Sequence, residues 1–204
     1  MKTLYVMAGL FAVWMPMAAS ANDLEWSAEL GLNVAASSGA VETTANTAVE
    51  LSYAGAFVGG EIETLFQDPT DKAEITLTLG YTFDIGADTA LTASYSRIFL
   101  DNSGFSSHEI GAALDFPISS NVGGTFEIVH DLTASTTDYS LGAEFGLGNG
   151  FTAEALIGHD GTEVYGETGL SYDFNDTLSA GLVVELSQSA SPVFNFGLTI
   201  GFGS

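Results

Sequence analysis

The sequence predicts an all-β fold, a transmembrane antiparallel up-and-down β-barrel of about 12 strands. Apolar residues alternate with small or polar residues along successive segments of about 9 to 11 residues, the length of a tilted membrane crossing. Tight turns alternate with looser polar connections, which is the arrangement of membrane barrels. Aromatic residues recur at corresponding ends of the segments. A count of 8–10 strands is the alternative.

The final segment shows the alternation most clearly. Phe194, Phe196, Leu198, Ile200 and Phe202 share one face, and the residues between them are small or polar. We therefore predict a strand over residues 193–202 that pairs with the first strand, over 24–34, and removes the free sheet edges.

The strands between these two follow the same pattern. They are predicted near 45–54, 56–66, 73–83, 89–99, 108–116, 122–130, 137–147, 151–159, 164–174 and 178–186. Gly148-Asn149-Gly150 is a strong hairpin-turn signal. A soft loop is predicted over 35–44 and a turn over 117–121, and no long helical period appears after residue 21.

The first 21 residues have the features of a cleaved export signal. Lys2 supplies a positive start, residues 4–17 form an apolar core, and residues 19–21 read A-x-A. The apolar core is too short for a membrane-spanning helix. We predict a signal peptide over 1–21 and a barrel over 22–204. The chain has no Cys, so disulfides contribute nothing to its stability.

The charge balance is strongly acidic. The chain has 26 Asp and Glu against three Lys and Arg, a formal net charge of −23. Nucleic acid is excluded as a partner because no basic surface exists to neutralise phosphates. Hydrophobic residues make up 46% of the chain, which also argues against an acidic disordered protein. Such a chain must separate its acidic and apolar side chains, and alternation along strands does so.

If the apolar face meets lipid, the other face lines a lumen that is crowded with carboxylates. The residues predicted to lie in its narrow zone and to select for cations are Glu29, Glu50, Glu61, Glu127, Glu154 and Glu167. An unpaired carboxylate in a dry interior costs several kcal/mol or becomes protonated, so we predict a hydrated lumen. The alternatives are that these groups are protonated, hold cations, or only keep a plugged lumen polar.

Two further sets of residues are assigned by their position on the lipid-facing side. The cationic set, predicted to contact lipid phosphate at the outer rim, is Arg97, His108, His130 and His159. The aromatic set, predicted to form a girdle at the inner interface, is Trp26, Tyr53, Tyr81, Phe116, Phe145, Tyr172 and Phe202. For the cationic set, the alternative is that these residues only mark strand ends.

The export signal, the repeated strands that end in Phe or Y-x-F, and the aromatic final strand resemble a Gram-negative outer-membrane β-barrel of the porin-like type. The acidity resembles that of alphaproteobacterial porins. This resemblance implies an outer-membrane location, with outer-membrane lipids, the barrel-assembly machinery and small solutes or cations as partners. One departure is that Gly203-Ser204 follow Phe202, whereas such proteins usually end on an aromatic residue.

We therefore predict a channel for passive, cation-preferring diffusion of small solutes. The alternatives are a structural or adhesive barrel with a closed lumen, and a secreted soluble β-sandwich. An enzyme is disfavoured, because Ser107-His108, His130-Asp131 and His159-Asp160 are strand neighbours whose side chains point to opposite faces. No cofactor and no metal site are predicted, while weak Ca²⁺ binding by loop carboxylates and the oligomeric state stay open.

Overall fold

A computed structural model describes residues 24–86 and 88–203, which form one closed β-barrel. The predicted signal peptide lies outside the described residues. The strands are β1 (Leu24–Ser37), β2 (Ala40–Tyr53), β3 (Ala56–Leu65), β4 (Ala73–Gly86), β5 (Thr89–Leu100), β6 (Gly104–Ser119), β7 (Val122–Asp131), β8 (Thr136–Gly148), β9 (Phe151–His159), β10 (Val164–Asn175), β11 (Leu178–Ser187) and β12 (Val193–Gly203).

Each strand pairs antiparallel with its neighbours in sequence, and β1 pairs with β12 to close the sheet. The closing register runs from Ala28 opposite Phe202 to Ala36 opposite Phe194. Closure satisfies the backbone hydrogen bonds of both outermost strands and leaves no sheet edge. The prediction of a twelve-stranded up-and-down barrel is confirmed, and the alternative of 8–10 strands is wrong.

The apolar side chains lie on the outside of the barrel. Leu79 is 57% exposed and Phe196 is 53% exposed, and no large side chain among the described residues is fully buried. A soluble β-sandwich would bury such residues between two sheets, so that alternative does not fit the structure. In the described part of the chain, no helix is long and apolar enough to span a membrane.

The connections at the inner end of the barrel include two-residue turns at 54–55, 120–121, 149–150 and 176–177. Asn149 and Gly150 have positive φ values of 54° and 80°, which is the conformation of a type I′ hairpin turn. The hairpin signal in Gly148-Asn149-Gly150 is therefore confirmed. The backbone twist of such turns matches that of the flanking strands, which keeps the inner rim short.

Two predicted connections are wrong. The loop predicted over 35–44 is a turn at Ser38-Gly39, because β1 continues to Ser37 and β2 already begins at Ala40. Ala and Thr dominate this stretch and give too little contrast for the alternation to be visible in sequence. The turn predicted over 117–121 is also shorter, because β6 continues to Ser119. Pro117 lies at a shift in register, where a bulge accommodates the missing N–H.

At the outer end, the connection between β3 and β4 is joined to the connection between β5 and β6 by Asp71. Its Oδ1 accepts hydrogen bonds from the backbone N–H groups of Ser103 (2.8 Å) and Asn102 (3.1 Å), and its Oδ2 accepts one from the Ser103 hydroxyl (2.7 Å). The Ser103 bonds favour the charged form and hold the pKa of Asp71 below its usual value. These contacts fix two outer connections to each other beside the barrel mouth.

Candidate functional site: the barrel interior and the outer rim

In every strand, alternate residues point toward the interior, and the residues between them carry the exposed apolar side chains. Glu25 of β1 lies beside Ser52 of β2, and this parity continues around the barrel through each pair of strands. At the inward positions of the described strands, every charged side chain is a carboxylate. The interior therefore offers no Lys or Arg partner to these groups within the part of the chain that the structure describes.

All six glutamates assigned to the lumen occupy inward positions. Glu127 is exposed, and Glu29, Glu50, Glu61, Glu154 and Glu167 are half-buried, so each keeps surface that water can reach. Glu29 and Glu61 lie on either side of Ala48 of β2 in the strand register, and Asn46 Nδ2 donates a 3.4 Å hydrogen bond to Glu61 Oε1. Of the remaining four, Glu154 and Glu167 are diagonal neighbours on the adjacent strands β9 and β10, whereas Glu50 and Glu127 lie apart on β2 and β7.

Several inward carboxylates face another carboxylate directly across a strand pair. The opposed pairs are Glu63 and Glu74, Glu109 and Asp131, Glu144 and Glu154, and Glu167 and Glu185. Side chains in such positions have Cβ atoms about 5 Å apart, and like charges there repel each other. The pairs therefore need water, protons or mobile cations between them.

Glu185 is the most enclosed of these carboxylates, with 8% of its surface exposed. Its Oε1 accepts a 2.5 Å hydrogen bond from Nδ2 of Asn195, which is 9% exposed. Asn195 belongs to β12, whose inward face carries no charge, so the amide offsets part of the cost of enclosing the carboxylate. Glu185 was not among the predicted site residues, because its position opposite Glu167 depends on the strand register.

Sequence reasoning also missed two inward aromatic residues, each of which packs over a glycine of the neighbouring strand. Tyr165 lies over Gly158 and donates a 2.9 Å hydrogen bond to Asp138 Oδ1. Phe57 lies over Gly80 in the same manner. A ring that lies against a glycine stays close to the wall and leaves the lumen wider. The inward direction of both rings could have been predicted, because residues two apart in a strand share a face. Phe57 is two residues from an inward glycine, and Tyr165 is two residues from an inward glutamate.

One sector of the interior wall is lined by hydroxyl groups and carries no charge. Thr78 of β4 hydrogen-bonds to Ser96 of β5 at 2.9 Å, and Thr82 hydrogen-bonds to Thr92 at 3.0 Å. These cross-strand pairs satisfy each other's hydroxyl groups and stabilise the sheet locally. The inward carboxylates of β4, Glu74 and Asp84, lie toward the two ends of the strand, beyond these hydroxyl pairs.

The four basic residues assigned to the outer rim all take outward positions. Arg97 of β5 lies directly opposite His108 of β6. His130 lies on the next strand, β7, and His159 lies two strands farther, opposite Tyr139. The structure therefore brings Arg97, His108 and His130 together on adjacent strands and sets His159 apart.

The seven aromatic residues assigned to the inner girdle also take outward positions near the inner ends of their strands. Exposure reaches 53% for Tyr53 and 48% for Phe202. Phe151 packs against Tyr172 with ring centroids 4.6 Å apart, and Phe83 packs against Tyr81 at 4.5 Å. Their contact with the lipid headgroup region remains a prediction, which follows from the amphipathic character of aromatic rings at membrane interfaces.

Among residues 24–86 and 88–203, no group of three or more His, Asp or Glu side chains is arranged to hold a metal ion. No protein-family model and no curated protein sequence matches the chain. The relationships that can be detected are therefore those of the three-dimensional structure.

Among solved structures, the barrel is similar to the KdgM porin, with a TM-score of 0.72 at 8% identity, covering 85% of this chain and 99% of that chain. A KdgM porin in complex with disordered oligogalacturonate matches with a TM-score of 0.70 at 8% identity, covering 86% and 99%. The NanC porin matches with a TM-score of 0.64 at 10% identity, covering 84% and 98%.

At this identity the likeness concerns the fold, and it agrees with the predicted porin-like architecture. The KdgM and NanC porins are both named as porins, and what this chain is shown to share with them is the barrel fold. The chain therefore has the fold of a porin-type outer-membrane β-barrel.

Proposed function

We propose that this protein is a passive outer-membrane channel that prefers cations over anions. The observation that carries the proposal is the inward-facing set of carboxylates, which keep water-accessible surface and meet no basic side chain on that face of the described strands. Glu29, Glu50, Glu61, Glu127, Glu154 and Glu167 are the residues proposed to give this preference.

The mechanism is diffusion through a hydrated interior whose charge is balanced by mobile cations. Because the opposed carboxylates cannot neutralise one another, dissolved cations are attracted to them, and the local cation concentration rises above that of the bulk solution. Rings of acidic side chains select for cations in channels for the same reason. Small and hydroxyl-bearing residues on the remaining wall leave space for water.

The solute found with a structurally similar porin is not expected to be the solute of this barrel. One KdgM structure contains oligogalacturonate, a chain of acidic sugars that carries many carboxylates. The inward carboxylates of the present barrel would repel such a polyanion, since no inward cation of the described strands offsets them. We propose that neutral and cationic small solutes pass and that acidic oligosaccharides do not.

Export and assembly belong to the same proposal. Residues 1–21 direct the chain out of the cytoplasm, the barrel-assembly machinery inserts the strands, and outer-membrane lipids cover the apolar exterior. Exposed side chains such as Leu77 and Leu79 need that lipid, because leaving them in water forfeits the free energy gained when apolar surface leaves water.

Planar-bilayer recording tests the channel and its preference together. With a KCl gradient across the bilayer, the reversal potential is expected to have the sign of a cation-preferring pore at neutral pH. A reversal potential of the opposite sign would remove the cation preference, and an absence of conductance would remove the channel. Swelling of proteoliposomes in small neutral sugars separates an open lumen from a structural or adhesive barrel, which would not swell.

A further inference from the structure

Arg97 is the only arginine of this strongly acidic chain, and its surroundings are unusual for such a residue. Its side chain is exposed on the outward face of β5. Among the described residues the guanidinium contacts no carboxylate and lies over two aromatic rings, 5.3 Å from the centroid of Phe99 and 5.2 Å from that of Phe105. Aromatic faces hold a guanidinium in place without neutralising it. The charge therefore remains available to an external anion.

One imidazole lies opposite this guanidinium, and a second lies on the strand beyond it. His108 is directly opposite Arg97, and its Nδ1 is 3.2 Å from the Tyr95 hydroxyl. His130 is paired with Ile110, the outward residue next to His108, so His108 and His130 are diagonal neighbours on the outer face. Side chains in diagonal positions are about 7–8 Å apart, close enough to contact one ligand.

In both imidazoles, Nδ1 lies beside a hydroxyl group of the protein, so Nε2 is left to donate to a ligand. His130 Nδ1 is 2.9 Å from the Thr137 hydroxyl, which like the Tyr95 hydroxyl is able to donate to an imidazole nitrogen. When Nδ1 accepts, the hydrogen of a neutral imidazole resides on Nε2. Nε2 makes no hydrogen bond within the part of the chain that the structure describes. An anion beside these rings would thus meet N–H donors as well as the guanidinium.

Arg97, His108 and His130 lie on the outward face of the barrel, where lipid would surround it. Arg97 and His130 lie near the outer ends of β5 and β7, with apolar or aromatic outward residues on the same strands toward the bilayer centre, such as Ile128. The outward positions of the described strands β1 to β4 and β10 to β12 carry no Lys, Arg or His. A single guanidinium with imidazole N–H donors near it, above an apolar wall, is complementary to an amphiphile with an anionic head and apolar chains.

We propose that Arg97, His108 and His130 form a binding site for the phosphate group of an outer-leaflet lipid. Arginine is suited to this ligand because its planar guanidinium donates two parallel hydrogen bonds to phosphate oxygens. The apolar chains of the lipid lie along the exterior wall below the patch. This inference rests on the proposed membrane location and is independent of channel activity.

Native mass spectrometry of the purified full-length barrel in a neutral detergent tests the site, with phosphatidic acid as the probe. Diacylglycerol, which lacks the phosphate, is the matched lipid. Wild-type protein is expected to retain phosphatidic acid and not diacylglycerol, and Arg97→Gln is expected to weaken retention about tenfold through loss of the bidentate contact. Arg97→Lys keeps the charge and is expected to recover part of the affinity.

Lys72→Gln is the matched control, because it removes one positive charge from the connection between β3 and β4. It is expected to retain phosphatidic acid as wild type does. Undiminished binding by Arg97→Gln, or an equal loss in Lys72→Gln, would overturn the site. Displacement of the lipid by an equimolar amount of inorganic phosphate would overturn the lipid as its ligand.

Two further measurements keep the result interpretable. His108→Gln is expected to weaken retention severalfold on its own, so the site remains testable if Arg97→Gln does not fold. Bilayer conductance of Arg97→Gln is expected to match wild type, because the side chain lies on the outward face. A conductance failure in wild type would therefore contradict the channel and leave the lipid result standing.

Discussion

Gly158→Ala is the substitution whose effect follows most directly from the structure. Gly158 lies on the inward face of β9, opposite Tyr165 of β10. A Cβ atom added there would be 2.5 Å from Tyr165 Oη and 2.6 Å from Cε1. Because ordinary carbon contacts are about 3.5–4.0 Å, the ring must move by roughly 1 Å or more. That movement breaks the 2.9 Å hydrogen bond from Tyr165 to Asp138.

The magnitude follows from three contributions. Overpacking costs about 1–3 kcal/mol, and the lost hydrogen bond costs about 1 kcal/mol. Replacing glycine by alanine within a strand recovers about 0.5–1 kcal/mol of backbone entropy. The free energy of unfolding is therefore expected to fall by about 1–3.5 kcal/mol. The displaced ring also enters the outer part of the lumen, so single-channel conductance is expected to decrease.

Equilibrium unfolding in urea of the barrel reconstituted in lipid vesicles measures the change as a shift in midpoint at constant slope. Gly201→Ala is the control, because Gly201 is also inward-facing and an added Cβ there would meet nothing within 4 Å. It is expected to be neutral or slightly stabilising. If Gly158→Ala unfolds at the wild-type midpoint, or if Gly201→Ala is equally destabilised, the packing of Tyr165 over Gly158 does not have the role assigned to it.

Three further outcomes are expected. Glu50→Gln combined with Glu127→Gln should move the reversal potential in a KCl gradient toward zero, whereas an unchanged value would place the selectivity elsewhere. Asn195→Ala leaves the enclosed Glu185 carboxylate without its amide donor and should lower the free energy of unfolding by about 1–3 kcal/mol, and adding Glu185→Ala should recover part of the loss. Because the folded pKa of Asp71 is lowered, its stabilising effect is present at neutral pH and is lost as the pH falls through that pKa. Asp71→Asn should therefore speed proteolysis of the outer connections at pH 7 and diminish its acid dependence.

The alternation of side chains made most of the architecture predictable. In β12, the period of two is a property of a single strand, so the outward set from Phe194 to Phe202 is visible without knowledge of any neighbour. The inward parity of Glu50 and Glu127 and the outward parity of Arg97 follow in the same way. Strand ends were predictable only where the contrast was strong, which is why the ends at Ser37 and Ala40 were missed.

Only the tertiary structure decided which residues of different strands lie next to each other. Register depends on the hydrogen bonds between two strands and on the turn that joins them, and no periodicity within one strand contains it. For this reason the sequence predicted that Glu167 points inward but not that it faces Glu185. The sequence by itself determined which face of each strand points outward. Strand pairing in the closed sheet decided that Arg97 of β5 lies opposite His108 of β6 and that Tyr165 lies over Gly158. In both cases the relative position of the two residues is set by the pairing of their strands alone.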